Sequence, residues 1–455
     1  MSALLGVLTR GLGARVEAGN RRSVLGQGLG NALLNGTAFV LNFVTALLLS
    51  RLLGADGYGA YAFAFSLVVL LSVPARLGFN PLLVREVTQH RLEASWGLFR
   101  GILRRASQVV VVASILVCGV AAAVFLLTGW PGGNLHRPTL VALPLVLLMA
   151  ATTVRQGVMQ GLGHVVLGRT PETTIMPAAL LLAAGALGLG LGDRFSASWA
   201  VLASDISGVA AFVVGIAFLR RVVPDQARTS TPVFQTGRWA RALGPLIVFS
   251  LVSTAGQQLP TLLLGALGEP RDVGIYNVAF RVAGVLPFLQ IALTPAIMPA
   301  FVELLTLERH DDLQRLMTRS ARVILIFTVP IALVAIVFST PLLRIFGSDF
   351  DGGETALRIL AVGQLVNVAC GLGAMALMMS GDANAMTATF AVTTLVTLTL
   401  AAALVPSFGA TGGAIASSAG LVASNLILTA ILWRRRGIYA PALSLPRGFG
   451  GGVQR

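Results

Sequence analysis

Twelve apolar runs, each long enough to cross a bilayer, follow one another along the chain at about 24–50, 58–80, 107–128, 139–162, 173–192 and 198–219, then 242–266, 274–298, 323–345, 356–379, 384–405 and 411–433. A chain folding in water has no use for so much apolar surface. Only 11% of the residues are charged, whereas a soluble globule carries about a quarter. The last long run, Ala383 to Trp433, is divided by Pro406, Ser407, Phe408 and Gly409, a turn signal placed where a chain leaving one face of the membrane must re-enter. The expected fold is an all-α polytopic membrane protein of twelve transmembrane helices in two pseudo-symmetric six-helix bundles facing a central cavity.

The charged residues orient these spans. All 33 basic residues are arginine. Twelve spans with both ends on one side put 24 of them in the segments of that side and one each, Arg51, Arg137, Arg194, Arg271 and Arg344, in the loops opposite. That asymmetry predicts cytoplasmic N- and C-termini. It also accounts for the net charge of +15 without a nucleic-acid partner. The first 22 residues, with Arg10, Arg15, Arg21 and Arg22, read as a cytoplasmic tail.

The stretch Ser50 to Gly78 recurs in weaker form between Leu264 and Pro299. An offset of 215 carries Gly59 to Gly274, Tyr61 to Tyr276, Phe65 to Phe280, Arg100 to Arg315 and Arg104 to Arg319. An even number of spans per half makes the repeats parallel. The domain reading is therefore an N-terminal bundle over 1–220, a cytoplasmic linker over 221–241, and a C-terminal bundle with a short tail over 242–455.

Functional candidates are the polar groups that a hydrocarbon environment penalises. Gln27, Asn31, Asn35, Asn42 and Thr45 of the first span fall within a sector of roughly 80° at about 100° per residue. Span 7 repeats the pattern with Ser250, Ser253, Thr254, Gln257, Gln258 and Thr261. Both stripes are expected to line a wet cavity, interhelical hydrogen bonding being the alternative. Arg76, Arg155 and Arg281 lie within spans, where a guanidinium costs at least ~2.5–3.5 kcal/mol unless it faces a cavity. Their fork of donors suits a phosphate or pyrophosphate. Arg358 follows Glu354 by four residues and reads as half of a local ion pair. Asp205 lies well inside span 6 and is either an ion-coupling carboxylate or a partner for an arginine such as Arg194. No catalytic constellation, metal cluster or phosphate loop stands out, so no cofactor is expected.

Arg51-Leu52-Leu53-Gly54, the Tyr58-Gly59-x-Tyr61 turn, the arginine-rich segments after spans 2 and 8, and twelve spans in two halves together resemble the polysaccharide-flippase branch of the multidrug/oligosaccharidyl-lipid/polysaccharide exporter superfamily. The resemblance implies a V-shaped pair of bundles that flips undecaprenyl-pyrophosphate-linked sugar repeats to the periplasmic leaflet by alternating access. It places Arg76 and Arg281 among cavity-lining basic residues. Its implied partners are a polyprenyl-pyrophosphate-linked glycan, membrane lipids, and a polysaccharide polymerase with glycosyltransferases. Two alternatives stay open: a cation-coupled exporter of small molecules or drugs with the same fold, and a membrane glycan polymerase or ligase. The first span holds no acidic residue of the kind cation-coupled drug exporters of this superfamily usually carry there.

Overall fold

The computed structural model describes the backbone of residues 18–380, 382–438 and 441–442, and within it all side chains except those of 18–29, 31–32, 240–242, 245, 295–296, 299, 383 and 436. Among the described residues there is helix and turn but no strand. Seven helices are long and apolar enough to cross a membrane, and three bent helix pairs bring the number to ten. Two of the seven, over Leu33–Arg76 and Asn384–Arg435, are 44 and 52 residues long. At 1.5 Å per residue each covers about twice the ~30 Å hydrocarbon thickness. Each is broken by one glycine outside helical geometry, Gly54 (φ 64°, ψ −176°) and Gly409 (φ 49°, ψ −128°). Dividing both at their breaks brings the number to twelve, which is consistent with the expected spans, and Gly409 is the turn that the Pro406–Gly409 signal predicts.

The chain packs as two compact units, a first of Leu33–Asn277 with Ile345–Phe350, and a second of Met1–Ala32, Val278–Arg344 and Asp351–Arg455. By packing, span 7 therefore groups with the first six. The principal helices of the first unit are α1 (Ala18–Arg76, in this unit from Leu33), α2 (Phe79–Leu92), α3 (Trp96–Thr128), α4 (Leu143–Gly161), α5 (Val165–Thr170), α6 (Met176–Leu191), α7 (Ala197–Val222) and α8 (Thr236–Leu267), followed by α9 (Pro270–Ala283), which enters the second unit after Asn277.

Small residues set how closely these helices approach. Gly157 and Gly161, four apart on one face of α4, lie against Leu83 and Val87 of α2; a Cβ on either would come within 2.9 or 2.7 Å of those side chains. A still closer approach joins the two copies of the repeat. A Cβ on Gly59 would stand 1.7 Å from the carbonyl oxygen of Pro270, and one on Gly274 would stand 2.1 Å from that of Ala55. Beside this contact the Ile345–Phe350 segment covers the Gly54 break. Ser50 donates to the Phe346 carbonyl (3.1 Å), Arg51 to that of Ile345 (2.8 Å) and Arg271 to that of Asp349 (3.2 Å), while buried Phe350 packs edge-on against Tyr58.

The segment leading into α8 is seated on α3 rather than free. Val233 N–H donates to the Gly97 carbonyl (2.9 Å), Arg100 to that of Ser230 (2.6 Å), and the Arg105 guanidinium stands 5.2 Å from the centre of the Phe234 ring. A Cβ on Gly101 would stand 1.7 Å from the Val233 carbonyl oxygen. At the start of α8, Trp239 and Arg238 donate to the buried carboxylate of Glu86 on α2 (3.3 and 3.4 Å), whose other neighbour is His90 at 3.5 Å.

The second unit contains α10 (Phe288–Thr306), α11 (His310–Val337), α12 (Glu354–Ala369), α13 (Gly373–Met379) and α14 (Ala383–Arg436). Its two bent pairs turn by 54° between α9 and α10 and by 46° between α12 and α13. Gln290 of α10 donates to the Gly371 carbonyl (3.0 Å), satisfying an acceptor freed at the second bend. Asn425 donates to Asn367 (2.9 Å), and Asn367 to Gln364 (3.1 Å). Arg358 corrects the sequence reading: it donates to the Ile336 carbonyl (3.2 Å) and to Ser339 (3.1 Å) instead of pairing with Glu354, whose carboxylate turns back to Thr340 and the Gly352 amide.

Two outcomes follow from this packing. Gly59→Ala is expected to lose about 1–3 kcal/mol in denaturation from mild detergent, the cost of overpacking a tight contact, while Gly119→Ala, where nothing lies within 4 Å, is neutral or stabilising. Glu86→Ala, which removes the acceptor for Arg238 and Trp239, is expected to cost about 1–3 kcal/mol and to speed tryptic cleavage at exposed Arg228, read by gel.

Candidate functional site

Each in-span arginine meets a different environment. Arg76 ends α1 and is half-buried, with one long contact from Nη2 to the Met149 sulfur (3.8 Å) and a buried Nε that finds no acceptor. Among the described residues no carboxylate lies within 4 Å of it. Such a cation keeps nearly all its hydrogen-bonding capacity for an anion.

Arg155 is the opposite case. It sits on α4 at 2% exposure and is ion-paired through Nη2 to Glu172, while Gln156 donates to the other oxygen of that carboxylate (2.8 Å). The ring of contacts is completed by the Met159 sulfur at 3.6 Å and by Gly215 of α7, where a Cβ would stand 2.5 Å from the guanidinium carbon. In this structure Arg155 is committed to an internal carboxylate rather than open to an anion, which corrects the sequence reading. Glu172 went unnoticed in the sequence because it lies at a helix start beside Pro171, in what reads as a short inner loop.

Glu172 belongs to a π-helical turn, Pro171–Ile175, between α5 and α6. π turns inside helices are frequent at functional sites. The turn also sets Arg169, whose carbonyl accepts from Thr173 (2.8 Å) and whose Nη2 donates to Asn35 of α1 at 3.5 Å.

Of the stripes of spans 1 and 7, Asn35, Asn42, Thr45 and the span 7 residues fall in the first unit. Asn35 is half-buried. Asn42 is exposed and bonds back to its own helix at Ala38 (2.7 Å). Ser250, Ser253 and Gln258 are half-buried and Gln257 exposed; Ser253 bonds back to Phe249 (2.8 Å), and buried Thr261 accepts from Asn277 (3.5 Å). Gln27 and Asn31 lie outside the residues whose side chains are described. Arg281 is half-buried in the last turn of α9 and belongs to the second unit. Arg76, Arg155, Asn35 and the span 7 stripe thus share one unit, and Arg281 belongs to the other.

Asp205 is buried on α7 at 8% exposure, makes no ion pair among the described residues, and leaves Oδ1 without a hydrogen-bond donor. The alternative of a partner such as Arg194 is therefore not realised in this conformation. The neighbouring Ser204 hydroxyl meets that of Tyr61 at 3.2 Å, so the α1–α7 contact has polar character beside the carboxylate.

Comparison with known proteins follows the same lines. The family model described as polysaccharide biosynthesis protein matches residues 28–305, and that of MatE matches residues 245–403. No match is found among curated proteins. Among solved structures, the fold is similar to that of a multidrug resistance MATE family transporter of the MOP superfamily in an inward-facing conformation, with a TM-score of 0.71, 14% identity, and 89% of this chain and 97% of that chain covered. It is also similar to the lipid II flippase MurJ in an inward closed conformation (0.69, 12% identity, 88% and 86% covered). A third neighbour is a MOP superfamily transporter from Pyrococcus furiosus (0.63, 12% identity, 90% and 94% covered). At such identities the likeness is one of fold. With a family match over more than half of its 455 residues, the chain belongs to the polysaccharide biosynthesis protein family, and it carries the fold of the MOP-superfamily transporters.

Proposed function

We propose that this protein is a flippase that moves a polyprenyl-pyrophosphate-linked oligosaccharide from the cytoplasmic to the periplasmic leaflet of a bacterial inner membrane by alternating access, for surface polysaccharide synthesis. The observation that carries the reading is Arg76, a half-buried guanidinium at the end of a membrane helix with no carboxylate partner among the described residues. A cation kept in that position is costly unless an anionic group visits it. Arg281, from the equivalent helix of the second half, is assigned the same role later along the route. The stripes of spans 1 and 7 solvate the glycan, and the polyprenyl chain stays in lipid. Arg155 serves indirectly, through Glu172. An inside-negative potential favours outward movement of an anion by ~2.3 kcal/mol per charge per 100 mV, so the reading requires no ATP site.

A second reading has its own support: the MatE match and the unpartnered Oδ1 of Asp205 suit an exporter of small cations coupled to an ion held at that carboxylate. The two separate experimentally in a strain that depends on this protein. Flipping predicts that Arg76→Ala with Arg281→Ala cuts surface polysaccharide about 10–100-fold at matched protein levels, the factor for losing a charge-assisted hydrogen bond, while Arg358→Ala leaves it near normal. Normal polysaccharide in the double variant, with resistance to lipophilic cations that disappears in Asp205→Asn, establishes the exporter instead.

A further inference from the structure

We propose that Arg169, seated against Asn35 on the polar stripe of α1, forms a phosphate-docking site separate from Arg76, taking the pyrophosphate class of anion as it enters the first unit. The inference deepens the flippase reading and rests on it for the source of the anion.

Three observations converge on Arg169. Its guanidinium is half-buried and turned towards α1, where the Asn35 carboxamide oxygen accepts from Nη2 at 3.5 Å. Among the described residues that is the one protein acceptor for its five N–H groups, and no carboxylate lies within 4 Å. The nearest acid in sequence, Glu172, is occupied by Arg155 and Gln156.

The turn holding Arg169 is also unusually well fixed for the end of a membrane helix. Arg155 grips Glu172 from a site with 2% exposure, Thr173 bonds the Arg169 carbonyl (2.8 Å), and Thr170 bonds that of Val166 (2.8 Å). An arginine needed only for membrane orientation can extend to water from a loose loop. This one is braced from behind by a buried ion pair and meets α1 at Asn35, on the helix that also carries Asn42 and Thr45. A planar fork anchored at one nitrogen leaves its remaining donors side by side, the geometry that matches two phosphate oxygens. The arginine distribution puts Arg169 on the cytoplasmic side, where a lipid-linked cargo is made.

The test is equilibrium binding of radiolabelled inorganic pyrophosphate, and separately of farnesyl pyrophosphate, to the purified full-length protein in detergent. Binding is expected in wild type and weakened about tenfold or more in Arg169→Ala, with a smaller loss in Arg169→Lys, which keeps charge but not the fork. Asn35→Asp is expected to abolish binding without lowering the melting temperature, because a carboxylate in that position neutralises Arg169. Arg137→Ala, in an opposite-side loop, serves as the unaffected control. Unchanged binding in Arg169→Ala, or no binding by wild type at millimolar pyrophosphate, overturns the site. Competition by farnesyl pyrophosphate identifies a lipid source, and its failure to compete identifies free pyrophosphate. Arg169-dependent binding in a protein whose Arg76/Arg281 variant still exports polysaccharide keeps this site while refuting the role given to Arg76.

Discussion

A peptide group left unpaired in hydrocarbon costs several kcal/mol, and this constraint decides where the chain can depart from a helix. Two described departures have polar side chains beside them. The Gly54 break in α1 is flanked by Ser50 and Arg51, which donate to carbonyls of the Ile345–Phe350 segment. The bend after α12 gives its Gly371 carbonyl to Gln290. Glycine supplies the positive φ at both interior breaks, Gly54 and Gly409, and at the first of them the Ile345–Phe350 segment is seated against the flanking side chains.

The same constraint separates the arginines. Arg155 and Glu172 form a buried pair; such a pair adds little stability relative to apolar packing, yet losing one member strands the other at about 3–5 kcal/mol. Its effect is therefore positional, tying α4 to the turn before α6. Arg76 and Arg169 carry the same guanidinium without an acid within reach among the described residues, and their cost has to be met by water or by a visiting anion. Composition alone would count the three as equivalent.

Much of the architecture was legible in the sequence because bilayer thickness imposes a length on apolar runs and the arginine bias gives them a direction. Gly409 falls where the proline–glycine signal put a turn. The site was legible only as far as the spans are. Arg155 was recognised as an in-span cation, but its partner lies 17 residues later across two helix ends, beyond any periodic pattern. Arg358 shows the limit of the i, i+4 rule: Glu354 is at the right spacing, but the carbonyl of Ile336 and the hydroxyl of Ser339 lie closer in space. The seat of Ile345–Phe350 on α1 joins residues almost 300 positions apart and leaves no local trace.

The internal repeat explains why glycine occurs at its centre twice. Ala55 and Pro270, like Gly59 and Gly274, differ by the offset of 215, so the contact is isologous: position 59 meets 270 while 274 meets 55. In a self-complementary contact the backbones close only if both equivalent positions lack a side chain, since a Cβ on either one reaches a carbonyl on the other copy. A bulky residue at a single position would hold the two turns apart as effectively as one at both. The pairing of glycines at this offset is thus a steric requirement of bringing two like turns together, which is why the repeat is legible in sequence at the place where its copies touch.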